Sequence, residues 1–70
     1  MSEEWVTVTI VSDEADANLK KGFLEDAGIQ CVIEASTFYR GAVPLFNQFK
    51  INVPKDELET AKQVLTELES

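Results

Sequence analysis

The chain has no histidine and only one cysteine, Cys31, in 70 residues. The first absence removes the commonest general base and the commonest transition-metal ligand. The second rules out an internal disulfide and any paired-thiol redox chemistry. Arginine also occurs once, as Arg40, and the six basic residues face thirteen acidic ones, for a formal charge of -7. A field of that sign repels a phosphate backbone, so nucleic acid is not an expected partner. No apolar run approaches the roughly 20 residues needed to cross a bilayer, and the opening Met-Ser-Glu-Glu has the wrong charge for a secretory leader. The expectation is a cytoplasmic protein with no membrane partner.

No glycine-rich phosphate loop or calcium-loop spacing is present. The neighbouring carboxylates Asp13 and Glu14, Glu25 and Asp26, and Asp56 and Glu57 point in different directions on helices and read as solvated faces and dipole partners. No catalytic residue, cofactor or metal site is expected, and the chain does not read as an enzyme. Cys31 alternates with Ile29 and Ile33 in an apolar pattern, which marks it as a core residue and not a reactive thiol.

What is present is an ordinary globular composition, 44% hydrophobic and 27% charged. Residues 1–70 have room for one domain, and a chain of that length buries only about 60% of the surface its unfolded form exposes, so self-association would add useful burial. Val6, Val8 and Ile10 alternate with Trp5, Thr7 and Thr9, the period of a strand. The even positions are expected to face the core. Ser12 or Asp13 can cap a helix in which Leu19, Phe23, Leu24 and Ala27 make the apolar stripe. Gly22 lies inside that helix, where close approach of a neighbouring backbone would explain it. Gly28 suits a left-handed C-terminal cap with Ile29 folding back on Leu24.

A second strand follows from Ile29 to Ala35, and a third has Phe49, Ile51 and Val53 on one face. Pro54 ends the third strand and opens a second helix with Leu58, Ala61, Val64, Leu65 and Leu68 as its stripe. The order strand, helix, strand, strand, helix predicts an α+β, ferredoxin-like split βαβ fold. Its three-stranded antiparallel sheet would have order 1-3-2, covered on one face by two helices, with the first strand an open edge.

Three segments together resemble the small prokaryotic DUF2007 family. They are the Val6-Thr7-Val8 strand, the run from Ala17 to Ile29 that ends Leu-Glu-Asp-Ala-Gly-Ile, and Val53 to Ala61, Val-Pro-Lys-Asp-Glu-Leu-Glu-Thr-Ala. The resemblance implies a signal-transducing role and a PII-like ferredoxin fold, and it supplies no catalytic residues. PII proteins place a long effector-contacting loop between their second and third strands, and the corresponding segment here is 36–47. The chain departs from PII proteins in being shorter and lacking the closing strand.

The 36–47 connector is long for a hairpin loop and unusually apolar. It holds Phe38, Tyr39 and Phe46 together with Arg40, residue types enriched in binding hot spots. Either Phe38, Leu45 and Phe46 fold back to plug the core, or Tyr39 and Arg40 contact a partner. The first strand has no lysine, proline or expected bulge to guard its edge, and Trp5 stands at its start, so pairing of two such edges in a homodimer is a second candidate interface. The leading expectation is a non-enzymatic regulatory or protein-interaction module that uses this loop, the first-strand edge and a sheet face with Thr7, Thr9, Val32, Lys50 and Asn52. The alternative is a small-molecule-sensing domain that binds an anionic metabolite or nucleotide near the loop.

Overall fold

The computed structural model describes residues 4–69. Strand β1 (Trp5–Val11) leads into helix α1 (Glu14–Asp26), then strands β2 (Val32–Arg40) and β3 (Val43–Pro54), a 3-10 turn at Lys55–Glu57, and helix α2 (Leu58–Glu69). The sheet is antiparallel throughout, with order β1-β3-β2, so β3 is central and β1 and β2 are both edges. This is the expected α+β arrangement of βαββα type.

The helix ends follow from local chemistry. The Asp13 carboxylate accepts a hydrogen bond from the backbone N–H of Ala15 at 3.0 Å, and Glu14 and Asp16 lie in the positive first turn. At the other end Gly28 adopts φ +85, its N–H donates to the Glu25 carbonyl, and the Ile29 N–H donates to the Leu24 carbonyl, each at 2.9 Å. That pair of bonds is the Schellman cap the sequence predicts, and Leu24 and Ile29 both lie in the core.

The core consists of Leu24, Ile29, Cys31, Ile51, Val53, Ala61 and Leu65. Ile51 and Val53 on β3 meet side chains of both helices, and Val6, Val8 and Ile33 pack around them. The α2 stripe is as expected, but α1 presents a different face. Ala17, Lys20 and Leu24 are buried, whereas Leu19 is 54% and Phe23 41% exposed. The helix is turned by about one residue from the face its largest apolar side chains define. Lys20 can occupy the buried side because its stem packs while its ammonium meets the Asp16 carboxylate at 2.8 Å. Ala27 is exposed as well. Gly22 is exposed, and a Cβ there would meet nothing within 4 Å, so close packing does not account for this glycine.

Two further expectations are corrected in the sheet. The register of β1 against β3 runs Thr7 to Asn52 and then Thr9 to Ile51, which leaves Val8 as an extra residue in a bulge. The bulge reverses the alternation beyond it. Thr9 moves to the helix side opposite Ile51, and Ile10, opposite Lys50, is 48% exposed instead of facing the core. The β1 edge therefore does carry a guarding bulge. The second correction concerns the connector. Residues 36–47 form no loop: β2 and β3 continue through them, and only Gly41 and Ala42 lie between the strands. Ile29 and Cys31 precede β2 instead of belonging to it, and both are buried.

Candidate functional site

The β2–β3 hairpin extends past the helices that cover its base. Threonine, valine and aromatic residues suit a pleated strand, and Gly41 at φ +62 supplies the positive dihedral that a two-residue primed turn needs at its first central position. Arg40 pairs with Val43 across that turn. Between Pro44 and Phe46 the register shifts by one, leaving Leu45 as an extra residue where proline could not donate to the ladder. The Thr37 hydroxyl donates to Asn47 Oδ1 at 2.9 Å, a cross-strand bond midway along the arm.

Phe38, Tyr39, Val43, Leu45 and Phe46 are between 43% and 61% exposed, so the arm does not fold back as a core plug. Phe38 and Phe46 instead satisfy each other, directly opposite across the strands with ring centroids 4.9 Å apart and an interplanar angle of 19°. The protrusion shows in overall dimensions. The radius of gyration is 13.2 Å, against about 11 Å for a compact chain of this length. Tyr39 and Arg40 occupy the tip, both exposed. Among the described residues no ion pair to Arg40 is formed.

A second exposed surface is the sheet face opposite the helices. The Thr7 hydroxyl donates to Asn52 Oδ1 at 2.7 Å, and Asn52 Nδ2 donates to Glu34 Oε1 at 3.3 Å, so one polar row crosses all three strands. Trp5, 40% exposed, and Val32, 51% exposed, line an apolar hollow with Asn52 at one end of this face. Alternation from Val32 and Asn52 places Phe38 and Phe46 on the same face, six residues further along each strand. Thr7, Val32, Lys50 and Asn52 thus share a face as expected, while Thr9 does not.

The chain matches the family model DUF2007, "Putative prokaryotic signal transducing protein", over residues 5–69. It belongs to the DUF2007 family. No curated protein and no solved structure matches it. The match spans every element described above, so this DUF2007 chain carries the family pattern across its whole sheet, both helices and the hairpin arm.

Among the described residues no group of three or more His, Cys, Asp or Glu side chains converges to hold a metal ion. No helix among the described residues is long and apolar enough to cross a membrane. The Cys31 thiol is buried, donates weakly to the Lys21 carbonyl at 3.7 Å, and is pushed above its ordinary value of 9.0 by burial first and the Glu25 carboxylate second, with Lys21 opposing them. It is a protonated, packed group at neutral pH. Trp5, Phe38 and Phe46 share the open face, and Tyr39 and Arg40 share the tip. Sequence reading placed Thr7, Val32, Lys50 and Asn52 on the open face but missed its extension to Phe38 and Phe46, because 36–47 read as a loop, and it misplaced Thr9, because no residue type announces the bulge at Val8.

Proposed function

We propose that this DUF2007 protein is a non-enzymatic regulatory module that acts by binding a protein partner through the tip of its β2–β3 hairpin. The observation that carries the reading is the arm itself. Five large apolar side chains remain 43% or more exposed on a strand-paired projection that contributes little to the core. An exposed apolar patch rimmed by polar residues is the usual mark of a contact site in a soluble chain. Tyr39 and Arg40 supply an aromatic plate and a planar five-donor cation at its end. The strand pairing holds them in place before binding, which limits the ordering cost that a flexible loop would incur. The family description as signal transducing supports a regulatory role over a catalytic one.

The test is affinity capture from a lysate of the source organism, comparing the wild-type chain with a Tyr39→Ala, Arg40→Ala double variant of verified fold. A captured protein is then purified and titrated against both. The reading expects a direct complex weakened at least a hundredfold in the variant. Equal affinity for both chains would remove the tip from the interface and overturn the reading.

A further inference from the structure

We propose that the open face of the sheet binds a second copy of this chain, face to face and with strands reversed, so that Phe38 and Phe46 of each copy cover the hollow of Trp5, Val32 and Asn52 in the other. This goes beyond the hairpin-tip reading and leaves Tyr39, which alternates to the other side of β2, uncovered.

The face is built in complementary halves. At one end Trp5 and Val32 line an apolar hollow. At the other the stacked pair Phe38 and Phe46 stands exposed. Val32 and Phe38 lie on the same strand, six residues and therefore about 20 Å apart. A twofold axis in the plane between two such faces, perpendicular to the strands, brings each aromatic pair over the other copy's hollow. It makes the same contact twice, as an isologous interface requires. Between the two ends this operation sets Glu34 over Ser36 and Lys50 over Gln48, so like charges are not directly opposed. The Thr7, Asn52 and Glu34 row already satisfies much of its own hydrogen bonding before it is covered.

Charge does not oppose this occupant. The three strands carry one acidic residue, Glu34, and two basic ones, Arg40 and Lys50, for a net +1, so the other segments carry -8 of the chain total of -7. Face-to-face docking keeps the acidic helix layers outermost, on opposite sides of two sheets about 10 Å apart. Area agrees as well. The chain exposes 4968 Å², against about 4400 Å² for a compact monomer of its mass. An interface at the lower bound of about 1,200 Å² needs roughly 600 Å² from each copy, no more than the surface this chain has beyond a compact monomer. The β1 edge is a poorer seat for a second copy because of the bulge at Val8.

Sedimentation velocity on the full chain tests the proposal, with Val32→Glu, Phe38→Lys and the double variant beside the wild type. Both side chains are exposed, and circular dichroism with thermal melts checks that each variant folds. The wild type is expected to sediment as a dimer at high micromolar concentration. Each single variant should weaken the dimer at least tenfold, and the double variant should recover it in part, because its two new charges meet across the interface. A wild type that stays monomeric to about 1 mM would overturn the proposal. So would a dimer indifferent to all three variants, or single-variant losses with no recovery in the double. Because Val32 lies at the base of β2 and outside the exposed arm, partner capture by the Val32→Glu variant separates failure of this inference from failure of the hairpin-tip reading.

Discussion

Phe38 and Phe46 stack with ring centroids 4.9 Å apart on the hairpin arm, where they stay 43% and 55% exposed. An exposed aromatic pair holds two strands together beyond the reach of the core, but it returns little area to the fold. Replacing either ring by alanine is therefore expected to cost about 1 kcal/mol, with a coupling energy of about 0.5–1 kcal/mol in a double-mutant cycle. Urea denaturation of the two singles and the double measures it. A cost near the 3–5 kcal/mol typical of a buried phenylalanine would mean that these rings pack elsewhere in solution.

Ile51 gives the opposite case. It is fully buried on the central strand and packed in the core between sheet and helices. Ile51→Ala should cost about 2–5 kcal/mol, a large share of what a domain this small possesses. The variant is expected to be partly unfolded at 25 °C by circular dichroism, whereas Leu19→Ala, at an exposed apolar position on α1, should change stability by less than about 1 kcal/mol. If Leu19→Ala proved the more damaging of the two, the orientation of α1 would be the one its largest apolar residues suggest.

The two glycines near α1 should respond in opposite directions. Gly22 is helical, exposed and surrounded by open space, so Gly22→Ala is expected to stabilise by about 0.5–1 kcal/mol. Gly28 sits at φ +85, where an added Cβ is strained, and Gly28→Ala should destabilise by about 1 kcal/mol or more. Thermal melts of both variants at one pH provide the comparison. A loss of stability in Gly22→Ala would point to a functional or packing constraint on that surface.

Legibility in the sequence followed how local each determinant was. Gly28, Asp13 and the α2 stripe could be placed because a cap or a helical period is written in adjacent residues. The bulge at Val8 could not, since its cause lies in matching Thr7 and Thr9 to Asn52 and Ile51 some 45 residues away, and valine fits a regular strand equally well. The rotation of α1 was hidden for a similar reason: Lys20 counts as polar by type but lies in the buried face. In the arm, the residues that suggested a binding loop, Phe38, Tyr39 and Phe46, are also strong strand formers. Their identity was informative about exposure and misleading about backbone shape.

Cys31 makes stability pH-dependent in the alkaline range. Burial and the Glu25 carboxylate raise its thiol above 9.0 in the folded chain, while the unfolded chain ionises near the ordinary value. Below that value both states keep the proton and the residue contributes no pH dependence. Above it the unfolded state loses its proton while the folded state retains it, so stability falls as pH rises until the folded thiol also ionises. Melting temperature measured from pH 7 to 10 should therefore drop more steeply for the wild type than for Cys31→Ala, whatever the difference in their starting stabilities. Parallel curves would assign the alkaline loss to other groups.

Deleting Val8 should convert β1 into a regular strand without disturbing its pairs. Thr7 already faces Asn52 and Thr9 already faces Ile51, so removing the extra residue leaves every other partner in register and on its present side of the sheet. The deletion forfeits a half-buried valine that packs on the core, a loss of about 1–2 kcal/mol. It also removes the twist and the interrupted ladder that keep another strand from adding to this edge. The expected outcome is a folded but less stable chain that self-associates more strongly, through the β1 edge, in a manner insensitive to Val32→Glu. Light scattering against concentration, run on the deletion with and without that substitution, reads both effects. A deletion variant no more associated than the wild type would show that the bulge serves the packing of Val8 alone and does not guard the edge.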